Sequence, residues 1–246
     1  MKRLLDLALS FVGLVLTSPL WIPVSLAIYF QDWHSPFYVA SRVGKNERPF
    51  KMVKLRSMVM NADRSGVDST SSKDPRITPV GKFVRRYKLD ELPQLWNVLK
   101  GEMSLVGPRP NVKRETDLYT TQEKLLLTVC PGITDFSSIV FSDENDILKD
   151  SADPDIDYNQ LIRPWKSRLG IFYVQHASVW LDIRLIALTV SAILSRESAL
   201  TGVVKVLRKM SADEQLVSVA KRMYPLKPFP PPGATKIIAS RDWAPA

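Results

Sequence analysis

A chain of 246 residues, 45% of them hydrophobic, is long and apolar enough to form a sizeable domain, which excludes disorder as its main state. Its single cysteine, Cys130, excludes an intrachain disulfide. The net charge of +9 lies in the front half, because residues 1–114 hold 19 Lys and Arg against 9 Asp and Glu, and residues 115–246 hold 15 against 16. This charge favours an anionic partner: nucleic acid, lipid headgroups or a phosphorylated small molecule.

The chain opens with an apolar segment, "LLDLALSFVGLVLTSPLWIPVSLAIYF" at residues 4–30, whose length suits a bilayer, since about 20 apolar residues span one. A cleaved signal peptide fits poorly, because the run is too long and no small-residue cleavage pattern ends it. Pro19 and Pro23 predict a bend in the middle, where the Ser18 hydroxyl can bond a freed carbonyl. The residues alone leave open a spanning helix and a re-entrant helix that returns to the side it entered.

Short strands and helices follow this segment. Apolar runs at 37–43 and 50–55, separated by the turn formers of "GKNERP", predict a β-hairpin. The polar stretch 61–79 predicts a surface loop. Apolar residues at helical spacing over residues 80–101 predict helices, the second of which ends at Gly101 as a C-cap.

The second half contains a turn, an acidic run and further helices. "GPRP" predicts a rigid turn that carries Arg109. Residues 143–157 are acidic, without EF-hand spacing, and predict a solvated loop. The apolar helix at 178–194 fits the core or the membrane interface better than a span. A basic helical stretch and the extended segment "YPLKPFPPPG" end the chain.

Two adjacent carboxylates, Asp90 and Glu91 in "KLDELPQLWNVLKG", lie in this basic region and have two interpretations. In the first they begin a helix, with Asp90 as the N-cap and Pro93 where a missing N–H is harmless. The helix N-terminus would also keep Asp90 ionised. In the second, one carboxylate attacks phosphorus and the other holds Mg²⁺, while nearby arginines clamp phosphate oxygens. No Walker A or Rossmann glycine motif is present, and two histidines with one cysteine are too few for structural zinc.

The motifs together resemble a known family. The proline-broken segment, "FKMVKLRSM", "ITPVGKFVRRYKLDELPQLWNVLKGEMSLVGPRP", "PGIT" and "YVQHASVWLDIRLIALT" closely resemble the small monotopic phosphoglycosyl transferases. These bacterial sugar transferases start glycan assembly on undecaprenyl phosphate. The resemblance covers residues 1–195 and leaves residues 201–246 unmatched.

The resemblance implies a helix-rich α+β fold for a monotopic membrane protein. Its expected parts are a re-entrant N-terminal helix broken by proline, a small β-hairpin and amphipathic interfacial helices. The implied division is a membrane helix at 1–36, a catalytic domain at the cytoplasmic face at 37–200, and a basic helix with a Pro-rich tail at 201–246. The implied location is the cytoplasmic face of the bacterial inner membrane.

The resemblance also assigns roles to residues of this chain. Asp90 would attack the β-phosphate of a UDP-sugar, release UMP and hold the sugar phosphate covalently, and Glu91 would bind Mg²⁺. Polyprenyl phosphate would then attack this intermediate in a ping-pong scheme. The residues that match basic motifs for phosphate binding are Lys54, Arg56, Arg85 and Arg109. Ser18 and Pro19 match the helix-breaking pair, which favours the re-entrant form.

The implied partners are a UDP-sugar, polyprenyl phosphate and anionic membrane lipids, without nucleic acid; self-association into a homo-oligomer is left open. The implied pathway is the first membrane step of a bacterial glycan such as an exopolysaccharide or O-antigen, and an acetamido deoxy sugar is favoured by analogy with the smallest members. Two departures concern the sugar or uridine contacts. Residues 135–145 replace a pattern that carries a nucleotide-contacting arginine, and Gly170 stands where an Asp often precedes the Tyr-Val pair.

Two rivals remain. A membrane-tethered basic module could bind nucleic acid or anionic lipid without catalysis, through charge that needs no acidic pair. Alternatively, donor and acceptor could bind together, with Asp90 acting only as a base.

Overall fold

The computed structural model describes residues 1–62 and 74–240, which form the helix-rich α+β architecture that the sequence predicts. Within these residues, helices surround one antiparallel and one parallel two-stranded sheet. The helices and strands are α1 (Lys2–Asp32), β1 (Phe37–Val43), β2 (Pro49–Leu55), α2 (Pro79–Arg86), α3 (Gln94–Lys100), β3 (Ser104–Val106), α4 (Lys113–Thr116), β4 (Gly132–Thr134), α5 (Phe136–Val140), α6 (Glu144–Ile147), α7 (Pro154–Asp157), α8 (Arg163–His176), α9 (Val179–Leu194), α10 (Arg196–Lys209) and α11 (Glu214–Lys221). A 3₁₀ turn at Leu89–Glu91 precedes α3, and a π-helical turn at Tyr158–Ile162 precedes α8.

The predicted hairpin is confirmed. Strands β1 and β2 pair antiparallel, with Phe37 opposite Leu55 and Val43 opposite Pro49. Alternate side chains such as Ala40 and Met52 are buried, as the two-residue period of a strand requires. Most of the loop predicted at 61–79 lies outside the described residues.

Helix α1 is long and apolar, and by length and composition it is the one helix in the described part of the chain that could cross a membrane. Its helical turns continue through Pro19 and Pro23. Because Pro19 has no N–H, it leaves the Val15 carbonyl without its usual partner, and the Ser18 hydroxyl donates to that carbonyl at 2.7 Å. This confirms the predicted bond from Ser18; a change of helix direction at Ser18–Pro19 stays a prediction.

The N-terminal end of α1 is bound to the folded domain by charged side chains. The Lys2 ammonium donates to Asp182 of α9 at 2.7 Å and to the Val106 carbonyl of β3 at 2.9 Å. The buried Asp6 carboxylate accepts from the Ser104 hydroxyl at 2.9 Å. A buried carboxylate needs such donors, because an unpaired one would lose several kcal/mol of hydration.

The C-terminal end of α1 is bound to the same domain. The Arg56 guanidinium pairs with Asp32 through both of its terminal nitrogens. Nearby, Ile28 packs with Leu55 and Val84, and all three side chains are fully buried. Both ends of this helix therefore contact one domain, which carries β2, β3 and α9.

The main hydrophobic core lies among the helices of the second half. Leu169 and Tyr173 of α8, Leu185 of α9, and Val203 and Leu207 of α10 pack together with little or no solvent exposure. Helix α9 has the boundaries predicted for the apolar helix, with the Ser178 hydroxyl capping it. Its other face remains exposed and includes Trp180, Ile193 and Leu194.

The C-terminal segment contributes to this core. The boundary predicted at residue 200 falls inside α10, whose apolar face packs with α9 and α11. The Pro-rich tail lies on α8, where Phe229 stacks against Trp165 with ring centroids 4.6 Å apart. Arg168 of the same helix donates to the Pro230 carbonyl at 2.9 Å.

Strands β3 and β4 approach each other unusually closely at two glycines. Gly107 donates to the Thr134 carbonyl and Gly132 to the Pro108 carbonyl, each at 2.9 Å. A Cβ atom on Gly132 would lie 2.1 Å from the Gly107 nitrogen. The contact leaves no room for a side chain and fixes the turn at residues 107–110.

Gly132→Ala tests this constraint. Because the obstructing atoms are backbone, the strands must separate, and we expect a loss of about 1–3 kcal/mol and a melting temperature lower by about 3–10 °C. Gly13→Ala is the control, since its new Cβ would meet the flexible end of Leu95 at 3.1 Å. Equal melting temperatures for Gly132→Ala and the wild type, measured in detergent by differential scanning fluorimetry, would contradict the constraint.

Candidate active site

A cleft of about 600 Å³ opens between the hairpin, the α2–α3 connection and helices α5, α6 and α8. This cleft is the candidate active site. The catalytic and phosphate-binding residues predicted to act together all line it: Lys54, Arg56, Arg85, Asp90, Glu91 and Arg109.

The two adjacent carboxylates lie in the 3₁₀ turn Leu89–Glu91. Lys88, directly before it, has φ 53°, a left-handed conformation that is uncommon for lysine and recurs at functional sites. The N-cap position of α3 belongs to Pro93, and no side chain caps that helix. The predicted N-cap role of Asp90 is therefore wrong, because the 3₁₀ turn separates Asp90 from the helix start.

Glu91 is paired with Arg109, which the rigid turn at residues 107–110 carries. The Arg109 guanidinium donates to Glu91 Oε1 and, at 3.5 Å, to the Ile133 carbonyl. Burial alone would raise the pKa of Glu91, but the charges of Arg109 and Lys54 outweigh it and lower the pKa to about 2. Glu91 is therefore an anion throughout the physiological pH range.

Asp90 has a different electrostatic environment. Burial raises the pKa of its carboxyl above 3.8, and the neighbouring charge of Glu91 raises it further. Lys54, Arg85 and Arg109 act in the opposite direction. These three cations favour the ionised form of Asp90, whereas the sequence predicts that a helix N-terminus does so.

Lys54 and Arg85 come from different elements. Lys54 lies in β2 opposite Tyr38, and burial together with Arg109 lowers the pKa of its ammonium. Arg85 lies in the last turn of α2, where a cation is also favoured by the helix dipole. Together with Arg109 they line the cleft with positive charge around Asp90.

Arg56 lines the cleft but is engaged elsewhere. Its side chain is 6% exposed and binds Asp32 and the Ser35 carbonyl, the latter at 2.9 Å. Its donors therefore hold the end of α1 against β2. The structure brings Arg56 near the other predicted residues, but with its guanidinium bound to α1.

One part of the cleft lining was not predicted from the sequence. The solvated loop predicted at residues 143–157 is wrong, because this stretch contains α6 and α7, and its Asp143 and Glu144 pair with cations. The spacing of these acids does not indicate that Glu144 faces the same cleft as Asp90 and Glu91, which lie about 50 positions earlier in the chain. The missed lining residues of this part are Ser138 of α5, Ser142 between α5 and α6, Glu144 and Asn145 of α6, and Lys166 of α8.

The predicted magnesium site is limited to the carboxylate pair. Among the described residues no group of three or more His, Cys, Asp and Glu side chains could hold a metal. Glu91 nevertheless fits Mg²⁺, since this ion commonly takes one or two carboxylates and completes its shell with water and phosphate oxygens. Glu91 keeps Oε2 for such a role while Arg109 binds Oε1.

A family model described as bacterial sugar transferase matches residues 1–196. The chain belongs to the bacterial sugar transferase family. The match includes α1, the hairpin, the carboxylate pair and the turn that carries Arg109, so every residue that lines the cleft lies inside it.

Individual relatives match part or most of this sugar transferase, and the chain spans less than two thirds of the length of the first two. The UDP-N-acetylgalactosamine-undecaprenyl-phosphate N-acetylgalactosaminephosphotransferase of Aeromonas hydrophila is 32% identical over 197 residues, 79% of this chain and 44% of the relative. The putative undecaprenyl-phosphate N-acetylgalactosaminyl 1-phosphate transferase of Bacillus subtilis is 45% identical over 109 residues, 44% of this chain and 61% of the relative. The exopolysaccharide production protein ExoY of Sinorhizobium fredii is 34% identical over 80% of this chain and 87% of its own length.

The two departures noted in the sequence differ in position. Residues 135–145 form α5 and the start of α6; Asp135 caps α5 with Ser138, which itself lines the cleft. A Cβ at Gly170 would lie 2.8 Å from Leu126 and 3.8 Å from Pro108. The first departure therefore lies at the cleft, and the second lies behind the turn that carries Arg109.

A double-mutant cycle on Arg109→Met and Glu91→Gln tests the central ion pair. We expect a coupling energy of about 1.5–3 kcal/mol at pH 7, because the pair is half-buried and hydrogen-bonded. The pKa of Glu91 falls from 4.5 to about 2 in the folded state, so the coupling is complete above pH 4.5 and is lost as pH falls toward 2.

The exposed Lys113–Asp117 pair is the matched control and should show a much smaller coupling. Urea unfolding from pH 7 to pH 3 measures both cycles. A coupling for Glu91 and Arg109 that grows as pH falls would contradict the assignment.

Proposed function

We propose that this sugar transferase moves a sugar 1-phosphate from a UDP-sugar to polyprenyl phosphate and releases UMP. The observation that carries the proposal is the placement of Asp90 in a cleft lined by Lys54, Arg85 and Arg109, with Glu91 paired beside it. Cations of this kind attract a diphosphate and stabilise the charge that develops on its oxygens. The Aeromonas relative, whose name contains both a UDP-sugar and undecaprenyl phosphate, supports the same substrates.

In the first half-reaction an Asp90 carboxylate oxygen attacks the β-phosphorus of the donor. The bond from that phosphorus to the oxygen that bridges the two phosphates breaks, and UMP leaves with the bonding electrons. The raised pKa of Asp90 makes its anion a stronger base and a better nucleophile than an ordinary carboxylate. Arg109 and Lys54 offset the charge of the departing phosphate.

In the second half-reaction an oxygen of polyprenyl phosphate attacks the same phosphorus. The bond between phosphorus and Asp90 breaks, and the carboxylate returns to its starting state as the polyprenyl diphosphate sugar leaves. Neither step requires a proton, because the acceptor phosphate is already an anion near neutral pH. This favours Asp90 as a nucleophile over Asp90 as a base.

Glu91 is the residue that would hold Mg²⁺. The ion would neutralise charge on the diphosphate oxygens and orient them. Glu91 suits this role because its pKa of about 2 keeps it ionised beside the substrate. Arg109 orients that carboxylate from the other side.

We place the protein at the cytoplasmic face of the bacterial inner membrane, with α1 re-entrant and the basic half against anionic lipids. The support is that Lys2 binds Asp182 at one end of α1 and Asp32 binds Arg56 at the other. A helix that crossed the bilayer would separate these two contacts by the membrane thickness. The product would be the first lipid-linked intermediate of a glycan.

Asp90→Asn tests the covalent route. Wild-type protein incubated with a UDP-sugar carrying ³²P in the β-phosphate, without acceptor, should release UMP and become labelled. The variant should do neither, with turnover reduced at least about 1,000-fold, because the amide is not a nucleophile. Asp117→Asn, an exposed acid of a surface ion pair, is the matched control and should keep full activity.

The remaining outcomes separate the rivals. UMP release only in the presence of acceptor, with no labelled protein, would support direct transfer. No turnover of any UDP-sugar, together with salt-sensitive binding of nucleic acid or anionic vesicles that Asp90→Asn leaves intact, would support the non-catalytic module.

Cysteine labelling tests the membrane topology. In a Cys130→Ser background, Leu4→Cys and His34→Cys place single thiols at exposed positions near the ends of α1. We expect an impermeant maleimide to label both in inverted vesicles and neither in spheroplasts. Asp117→Cys reports the side of the catalytic domain, and labelling of positions 4 and 34 from opposite sides would show a spanning helix.

A further inference from the structure

The part of the cleft formed by α6 and α8 carries an ion pair that the proposed mechanism does not use. Lys166 of α8 binds Glu144 of α6, and the two side chains are 17% and 28% exposed. The Lys166 ammonium also lies 5.4 Å from the centre of the Tyr158 ring. Asn145 lines the cleft beside Glu144 and adds an amide. This surface, which we call the α6–α8 wall, offers both hydrogen-bond donors and acceptors.

The α6–α8 wall adjoins the cations around Asp90. Glu91 and, to a smaller extent, Glu144 raise the pKa of the Arg109 guanidinium, whereas burial and, to a smaller extent, Lys166 lower the pKa of the Lys88 ammonium. Unlike those cations, Glu144 and Lys166 cancel each other's charge. A wall without net charge beside a phosphate site suits a neutral, hydroxyl-rich group attached to the phosphate.

Other parts of the cleft lining suit the base of the donor or the prenyl chain of the acceptor better than they suit a sugar. Strand β1 and the segment after β2 contribute partly exposed apolar side chains, among them Phe37, Tyr38, Val59 and Met60. Such a surface fits an aromatic base or a prenyl chain, since it has few polar groups to satisfy. The α6–α8 wall has the opposite chemistry.

We propose that Glu144, Lys166 and Asn145 bind the glycosyl group of the donor and set the sugar preference of the enzyme. This inference rests on the proposed function. Glu144 would accept hydrogen bonds from sugar hydroxyls or an amide, and Lys166 and Asn145 would donate to sugar oxygens. A wall built to bond particular hydroxyls rejects donors that lack them, because its polar groups are then left unpaired.

The wall is held in position by the C-terminal segment. Asp143, next to Glu144, pairs with Arg196 at 2.8 Å and with Arg222 at 3.1 Å. The side chain of Arg222 is 9% exposed and its guanidinium lies 5.5 Å from the Phe141 ring. Arg222 follows α11, outside the region that the family model matches. We assign it as a positioning residue, one that acts through Asp143 on the adjacent Glu144.

Glu144→Gln and Lys166→Met test the wall, with Asp146→Asn as a control because Asp146 lies exposed in the same short helix. For the preferred UDP-sugar we expect kcat/KM to fall about 10- to 100-fold, since each variant removes charged hydrogen bonds. Donors that the wild type uses poorly should change little, and inhibition by UMP should stay the same. A uniform fall for all donors, a weaker inhibition by UMP, or no change would overturn the inference.

Arg222→Gln and Arg222→Lys test the positioning role. Arg222→Gln should raise KM for the preferred donor several-fold with little change in kcat, and Arg222→Lys should restore most of the loss by keeping a cation at Asp143. Melting temperatures within a few degrees of wild type should accompany both. A fall in kcat alone, or no rescue by lysine, would overturn the role.

A binding measurement separates failure of this inference from failure of the proposed function. In an Asp90→Asn background, calorimetry should show that Glu144→Gln weakens binding of the preferred UDP-sugar about 10-fold or more and leaves UDP binding unchanged. This readout requires no turnover. Equal weakening of UDP and UDP-sugar would assign the wall to the nucleotide instead, and turnover without any donor-selective effect would refute the inference while the proposed function stands.

Discussion

The close contact between β3 and β4 is the constraint on which the rest of the structure depends. Gly107 and Gly132 bring two backbones within hydrogen-bonding distance where no side chain would fit. The turn that follows β3 places Arg109 against Glu91, and the Val106 carbonyl just before it accepts from Lys2 of α1. One rigid backbone contact therefore connects the apolar N-terminal helix to the charged residues of the cleft.

The electrostatics of the cleft follow from crowding two carboxylates among cations. Glu91 is kept as an anion by Arg109, and its charge in turn raises the pKa of Asp90. The two carboxylates thus have opposite shifts although they are adjacent in sequence. A phosphate group entering the cleft would take up part of the positive charge that now balances the carboxylates, which suits a reaction in which negatively charged groups meet.

The family match ends near the start of α10, yet the core continues beyond it. Helices α10 and α11 bury apolar residues against α8 and α9, and the Pro-rich tail stacks on Trp165. Arg222, near the end of α11, reaches Asp143 beside the cleft. The C-terminal segment is therefore part of the same folded unit and contacts the residues beside the cleft.

The sequence by itself determined three local features: the hairpin, from its turn residues; the C-cap at Gly101, which has φ 84°; and the bond from Ser18 to the carbonyl that a proline leaves free. Through motif resemblance it also identified the six charged residues that line the cleft. Local signals suffice there, because turns, caps and strands depend on neighbours in the chain. Only the tertiary structure decided that Asp90 is no helix cap, that Arg56 binds Asp32, and that the acidic stretch reaches the cleft through Glu144. The spacing of residues in the sequence does not reveal these features. The ion pairs join residues more than 20 positions apart, and the position of Asp90 depends on the left-handed backbone conformation of Lys88.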